Sequence, residues 1–273
     1  MRVPFAAPLV FVTMTACGGG AAGGTSVPIV AASATPVPVA SPTPNALSVP
    51  SAPGAATVQF AGYSWRVRSD YGGPGPNQFS AKNVWVDGQG FLHLAITNAN
   101  GVWSTAEVVL QQSLGFGSYQ FQILGHPEAM DEHVVLGLFN YTTPSIGPDG
   151  TNEIDIEFAT WSGTQPQHAN WTVWPAIAGP PQSTDAFDAS PNTGLSTHRF
   201  VWGSRAVAFQ AMSGLTNDTT GMYANWTYAP SDYLHLIPQT AEPVHMNLWL
   251  TGGPPANGQG QEIVITGFSF TPG

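Results

Sequence analysis

The sequence predicts an all-β protein, a sandwich or a barrel, and three observations carry that prediction. Gly and Pro are abundant, at 31 and 25 of 273 residues. Charged residues make up only 8%, against about 25% in an ordinary soluble domain, and helical surfaces are normally built from Glu, Lys, Arg and Gln. Short runs rich in Val, Ile, Phe, Tyr and Trp recur between Gly, Pro, Asn and Asp clusters, which is the pattern of many short strands. The balance of 6 Lys and Arg against 16 Asp and Glu gives a net charge of -10. A nucleic-acid partner is thereby excluded, since it needs basic residues to displace counterions.

The chain divides into three segments. Residues 3–65 contain no charged side chain. Segment 1–17 has one Arg, an apolar stretch from Val3 to Val12 and small residues before Cys17, which is the form of an export signal. The apolar run is short of the roughly 20 residues that a permanent membrane helix needs. Met14-Thr15-Ala16-Cys17 resembles the lipobox of bacterial lipoproteins, in which the Cys is lipidated. The only membrane attachment expected is a lipid anchor at Cys17, and the expected location is the cell surface, the outer membrane or the secreted fraction. Segment 18–57 is Gly, Ala, Ser, Thr, Val and Pro without an aromatic residue, a tether that cannot bury a core. Segment 58–273 holds all nine Trp and all sixteen acidic residues and is read as one catalytic domain, acting as a monomer.

Within that domain the strands follow in order. Val84-Trp85-Val86 and the run from Phe91 to Ile96 flank Asp87-Gly88, a hairpin signal. Further runs lie at Tyr119 to Ile123, His133 to Tyr141, Glu153 to Phe158, Arg199 to Trp202, Val244 to Leu250 and Glu262 to Phe270. No internal repeat and no capped helical period is present.

The chemistry concentrates in Glu153-Ile154-Asp155-Ile156-Glu157-Phe158. Alternation in a strand puts Glu153, Asp155 and Glu157 on one face and Ile154, Ile156 and Phe158 in the core. Three aligned carboxyl groups repel one another, an arrangement that folding alone does not call for. The two Glu backbones stand about 13 Å apart, and side chains leaning inward can reach the roughly 5–5.5 Å carboxyl separation of a retaining glycosidase. Crowding should raise at least one pKa, leaving one group protonated as an acid and another ionised as a nucleophile. A calcium site spaces its ligands along a Gly-containing turn rather than an apolar strand. No cofactor is therefore expected. A structural calcium is compatible with the sequence but not indicated by it. His126, Glu128, Asp131, Glu132 and His133 cluster before a strand without diagnostic metal spacing, and four Asn-x-Thr sequons are read as incidental.

This hexapeptide resembles the signature of glycoside hydrolase family 16, the laminarinase and lichenase group. Leu114 to Tyr119, Leu138-Phe139-Asn140-Tyr141, His198 to Trp202 and Met246-Asn247-Leu248-Trp249 resemble further family segments in the same order. The resemblance implies a concanavalin-like β-jelly-roll sandwich with a concave substrate cleft. It also implies retaining endo-hydrolysis of a β-glucan-type polysaccharide, with Glu153 as nucleophile, Glu157 as acid/base and Asp155 assisting. Phe139, Tyr141, Asn247 and Trp249 match family positions that line the cleft. Asn170, Thr172 and Trp174 follow on what should be the neighbouring strand. Glu107 falls where lichenases place a sugar-binding Glu, but Val109 stands where a basic residue is expected and Thr151 where lichenases have Trp, which argues against strict lichenase specificity. Two alternatives use the same fold: a carbohydrate-binding domain without catalysis, and a transglycosylase.

Overall fold

The computed structural model describes Gly54 and residues 56–273. The export signal, Cys17 and nearly all of the tether lie outside the described residues. The first strands are β1 (Thr57–Phe60), β2 (Tyr63–Val67), the short pair β3 (Tyr71–Gly72) and β4 (Asn77–Gln78), β5 (Val84–Val86), β6 (Leu92–Ala99) and β7 (Val102–Ser104). Then come β8 (Ala106–Leu114), β9 (Gly117–Leu124), β10 (Val134–Asn140), β11 (Glu153–Phe158), β12 (His168–Trp174) and β13 (Ser183–Asp188). The chain ends with β14 (Leu195–Trp202), β15 (Val207–Ser213), β16 (Met222–Tyr228), the single helical turn α1 (Tyr233–Leu236), β17 (Glu242–Leu250) and β18 (Gln261–Pro272).

Two antiparallel sheets form a jelly-roll sandwich. One runs β1-β2-β8-β17-β10-β11-β12-β13, and the other β16-β15-β14-β9-β18-β6-β5 with β7 beside β6. The hairpin read at Asp87-Gly88 joins β5 to β6, with Val84 opposite Leu94 and Val86 opposite Leu92. Asp87 Oδ1 accepts from the backbone N–H of Gln89 and of Phe91, each at 2.9 Å. Gly90 takes the left-handed conformation at φ 84°, which a residue without Cβ adopts without strain.

The core follows from alternation. Ile154, Ile156 and Phe158 on β11 are fully buried and face the opposite sheet, each contributing roughly 1.5–3 kcal/mol by leaving water. Aromatic rings bridge the layers. Trp171 of β12 stacks on Phe187 of β13 at 4.1 Å and on Phe209 of β15 at 5.6 Å. Phe158 meets the edge of His198 at 4.8 Å. Burial pushes the His198 imidazole down to about 3, so this histidine is a neutral core residue, with Nε2 3.0 Å from the Ser196 hydroxyl. Packing the even-numbered face of β11 this way commits its odd-numbered face, with all three carboxyls, to the outer side of the sheet.

Candidate active site

The register turns single strands into rows of side chains across that outer face. Asp155 on β11 stands opposite Phe139 on β10 and Thr172 on β12. Phe139 stands opposite His245 on β17, His245 opposite Val109 on β8, and Val109 opposite Arg66 on β2. A second row runs from Asn170 through Glu157, Gly137 and Asn247 to Glu107. Glu153 faces Trp174. These rows floor a cleft of about 890 Å³.

Every sequence-predicted site residue of the domain lines that cleft: Glu107, Phe139, Tyr141, Glu153, Asp155, Glu157, Asn170, Thr172, Trp174, Asn247 and Trp249. Cys17 lies outside the described residues. Gly137 is fitted to its place, because a Cβ there would stand 2.5 Å from Asn247 Oδ1, the atom that accepts the Gly137 backbone N–H at 3.1 Å.

Each carboxyl of β11 is held by its own donor or neighbour. Trp174 Nε1 donates to Asp155 Oδ2 at 3.0 Å. Asn170 Nδ2 donates to Glu157 Oε2 at 3.0 Å, and Asn170 Oδ1 in turn accepts from Trp161 Nε1 at 2.9 Å. Asp155 is bonded to Glu153. Burial pushes all three carboxyls above their ordinary range. For Asp155 the charges of Glu153 and Glu157 add to it, and for Glu153 those of Glu157 and Asp149. The sequence attributes the shift to crowding, whereas the structure puts burial first and repulsion second. The Glu153–Asp155 bond lowers Glu153 and raises Asp155. Asp155 is therefore the member of the pair that keeps a proton, and Glu153 the one that loses it first.

Among the cleft residues that the motif does not signal are Arg66, Arg68, Trp161 and His245. Trp161 sits in the loop after β11 at φ 48°, with its ring 6.1 Å from that of Trp249. Trp249 is only 8% exposed and packs with Phe79, Val135 and Ala159, so much of its ring serves the wall of the cleft. Phe139, also 8% exposed, packs at 5.1 Å from His245 and 6.0 Å from Tyr141. Tyr141 donates to Asp149 Oδ1 at 2.8 Å. Thr151 is buried away from the cleft, its hydroxyl donating to the Pro148 carbonyl at 2.7 Å. The His126–His133 cluster binds its own loops: His126 pairs with Glu128 at 2.7 Å, and Asp131 accepts from the backbone of His133, Ala256 and Asn257. Among the described residues no group of three or more His, Cys, Asp or Glu is placed to hold a metal ion.

No family model matches the chain, and no curated protein matches its sequence. Solved structures do. A β-glucanase of Bacillus licheniformis is 22% identical with a TM-score of 0.55, over 76% of this chain and 91% of that one. A glycoside hydrolase family 16 protein from a mixed-linkage glucan locus of Bacteroides ovatus, solved with a product, is 13% identical with a TM-score of 0.56, over 76% and 94%. A protein of Mycobacterium tuberculosis described as an immunostimulatory antigen and pseudo β-1,3-glucanase is 21% identical with a TM-score of 0.56, over 79% and 91%. The two sheets, with their open cleft and the acidic strand on its floor, thus place this chain in the jelly-roll fold of the family 16 β-glucanases.

Proposed function

We propose that the chain is a retaining endo-glycosidase of glycoside hydrolase family 16 that hydrolyses a β-1,3- or mixed β-1,3-1,4-linked glucan. The observation that carries the reading is the outer face of β11. Three carboxyls stand on the floor of an open cleft, raised by burial and without a cationic side-chain partner among the described residues. Such an arrangement opposes stability and suits a reaction that needs both an acid and a nucleophile.

The steps follow from the order of the three carboxyls along β11 and the family resemblance of that strand. Glu157, raised by burial to about 7 and bonded by Asn170, gives its proton to the glycosidic oxygen when protonated. The Glu153 carboxylate attacks the anomeric carbon, the glycosidic C–O bond breaks, and a glycosyl ester forms on Glu153. Glu157, now ionised, takes a proton from water as the water oxygen attacks the same carbon, and Glu153 leaves. Asp155 holds its proton against Glu153 before attack and after release. The cleft supplies flat rings at Phe139, Tyr141, Trp161 and Trp174 and amides at Asn170 and Asn247, which suits the apolar faces and hydroxyl rims of sugars. The two carboxyls suffice for both steps without a cofactor. Export and lipid attachment at Cys17 belong to the same reading on the sequence alone.

The test is a substrate panel of laminarin, mixed-linkage β-glucan, agarose and xyloglucan. Reducing ends from laminarin or mixed-linkage glucan, released first as the β-anomer, are the expected result. No reducing ends from any of the four would overturn the reading in favour of a binding domain, a reading to which the "pseudo" glucanase neighbour gives weight. Longer products on adding an acceptor oligosaccharide would mark transglycosylation.

A further inference from the structure

Glu107 is expected from the sequence to touch sugar, but both of its oxygens are occupied by protein. Oε2 accepts from Arg68 Nη1 at 2.8 Å, and Oε1 is 2.8 Å from His245 Nδ1. The Glu107 side chain is 4% exposed. Arg68 is fixed in turn: its Nε donates to Asp70 at 2.7 Å, its Nη1 to the Gly73 carbonyl at 2.7 Å, and its guanidinium lies 3.9 Å from the centre of the Phe79 ring. Glu107 is thus a clamped acceptor with the direction of its lone pairs set.

That clamp orients His245. Its ring is flanked by Phe139 at 5.1 Å and Tyr141 at 5.5 Å, and its Nδ1 is taken by Glu107. Nε2 has no protein partner among the described residues, and the side chain lines the cleft. A histidine that only fills a core leaves neither nitrogen toward open space, as His198 illustrates in the same molecule. Val109, the next side chain in the row, offers no polar atom, so His245 Nε2 is the hydrogen-bonding group at this point of the floor. Its position is set by register: Asp155, Phe139 and His245 stand in one row, two strand spacings or about 10 Å from β11. A sugar hydroxyl donates and accepts, so it can bond Nε2 in either protonation state.

We infer that His245 is the specificity-determining residue for a sugar unit bound beyond the cleavage point, bonding a hydroxyl through Nε2, and that Glu107 with Arg68 is the positioning pair that aims it. This inference rests on the glucan-binding part of the proposed function and not on the catalytic part. It moves the sugar contact from Glu107 to a residue more than a hundred positions away in sequence.

The full chain is assayed with 4-nitrophenyl glycosides carrying one to four β-linked glucose units, and by retardation in gels containing laminarin or mixed-linkage glucan. His245→Ala should raise KM about tenfold for the longer glycosides, the value of one such hydrogen bond, with kcat within about twofold. On the shortest glycoside cleaved it should match the parent. His245→Gln, which keeps a donor and an acceptor, should recover part of the loss and shows that the site has not collapsed. Glu107→Gln should raise KM in the same length-dependent way, and the double variant should be no worse than either single one, because the two act as a unit. Equal KM at every length, or a kcat loss independent of length, would overturn the assignment. The gels separate it from the hydrolase reading. A parent that binds but does not cut, with His245→Ala unretarded, supports the subsite and removes the catalysis. A parent that cuts, with His245→Ala retarded and active like it, does the reverse. A parent that neither binds nor cuts overturns both.

Discussion

Asp155 and Glu107 are acidic side chains on the floor of one cleft, and each residue is 3% exposed, yet their carboxyls titrate in opposite directions. Burial raises both. At Asp155 the neighbouring charges of Glu153 and Glu157 raise it further, and its pKa stands well above the ordinary value. At Glu107 the hydrogen bond and charge of His245, then those of Arg68, overcome the burial and hold it below the ordinary value. Depth therefore does not decide ionisation here; the partner does. The β11 end of the cleft is an uncompensated acid cluster, costly and reactive. The β8–β17 end is a compensated ion network, ordered and chemically quiet. Within the cleft, the unpaired carboxyls stand where bond-making is proposed, and the one that only has to hold a shape is neutralised.

The largest effect that would break this contrast is on turnover. Glu153→Gln should lower kcat about a thousandfold or more, the scale on which removal of a nucleophile acts, while polysaccharide retardation in gels stays as in the parent. Undiminished turnover would mean that the acid cluster is not the reacting group. Next in size is stability. Glu107→Ala strands Arg68 and His245 and should destabilise by about 3 kcal/mol, measured by urea unfolding at pH 7. Asp155→Asn, equally buried, should be neutral or stabilising at pH 8. Equal destabilisation by both would erase the distinction.

A smaller effect lies in the pH dependence, and its sign follows from the shifts. A carboxyl raised in the folded state contributes stability that is full below its ordinary pKa and is lost as pH rises toward the folded value. For Glu153 that window runs from the ordinary 4.5 up to about 8. Glu153→Gln should therefore melt a few degrees above the parent at pH 8 and level with it at pH 4. For Glu107 the shift is downward, so its contribution is present above the ordinary range and is lost as the solution is acidified through its folded value. The smallest change is Trp174→Phe. It removes the 3.0 Å donor to Asp155 and should cost about 1 kcal/mol in stability with at most a tenfold fall in kcat/KM.

The two ends of the cleft also differ in how far the sequence reveals them. The face of β11 is legible because alternation within one strand is a local rule: three acids at spacing two with Ile154, Ile156 and Phe158 between them admit one arrangement. Trp174 and Asn170 follow by the same rule on the next strand. The network at Glu107 is not legible, because it depends on register between strands distant in the chain. Val109 is flanked by Arg66 and His245, which restore polar groups around the place where the sequence alone registers the absence of a basic residue. Trp161 sits in a loop, where no periodicity assigns a direction. The origin of the raised pKa values was legible only in sign, since repulsion is visible in spacing, while burial requires the walls that the other strands and loops supply.

The central claim is that Glu153 forms a covalent bond to sugar. The direct measurement is mass spectrometry of the intact chain and its peptides after incubation with an activated 2-deoxy-2-fluoro β-laminaribioside, which slows release of the glycosyl ester. A stoichiometric adduct on the peptide containing Glu153, absent in Glu153→Gln, is the predicted result. Turnover of glucan without an adduct, or an adduct on another residue, would contradict it.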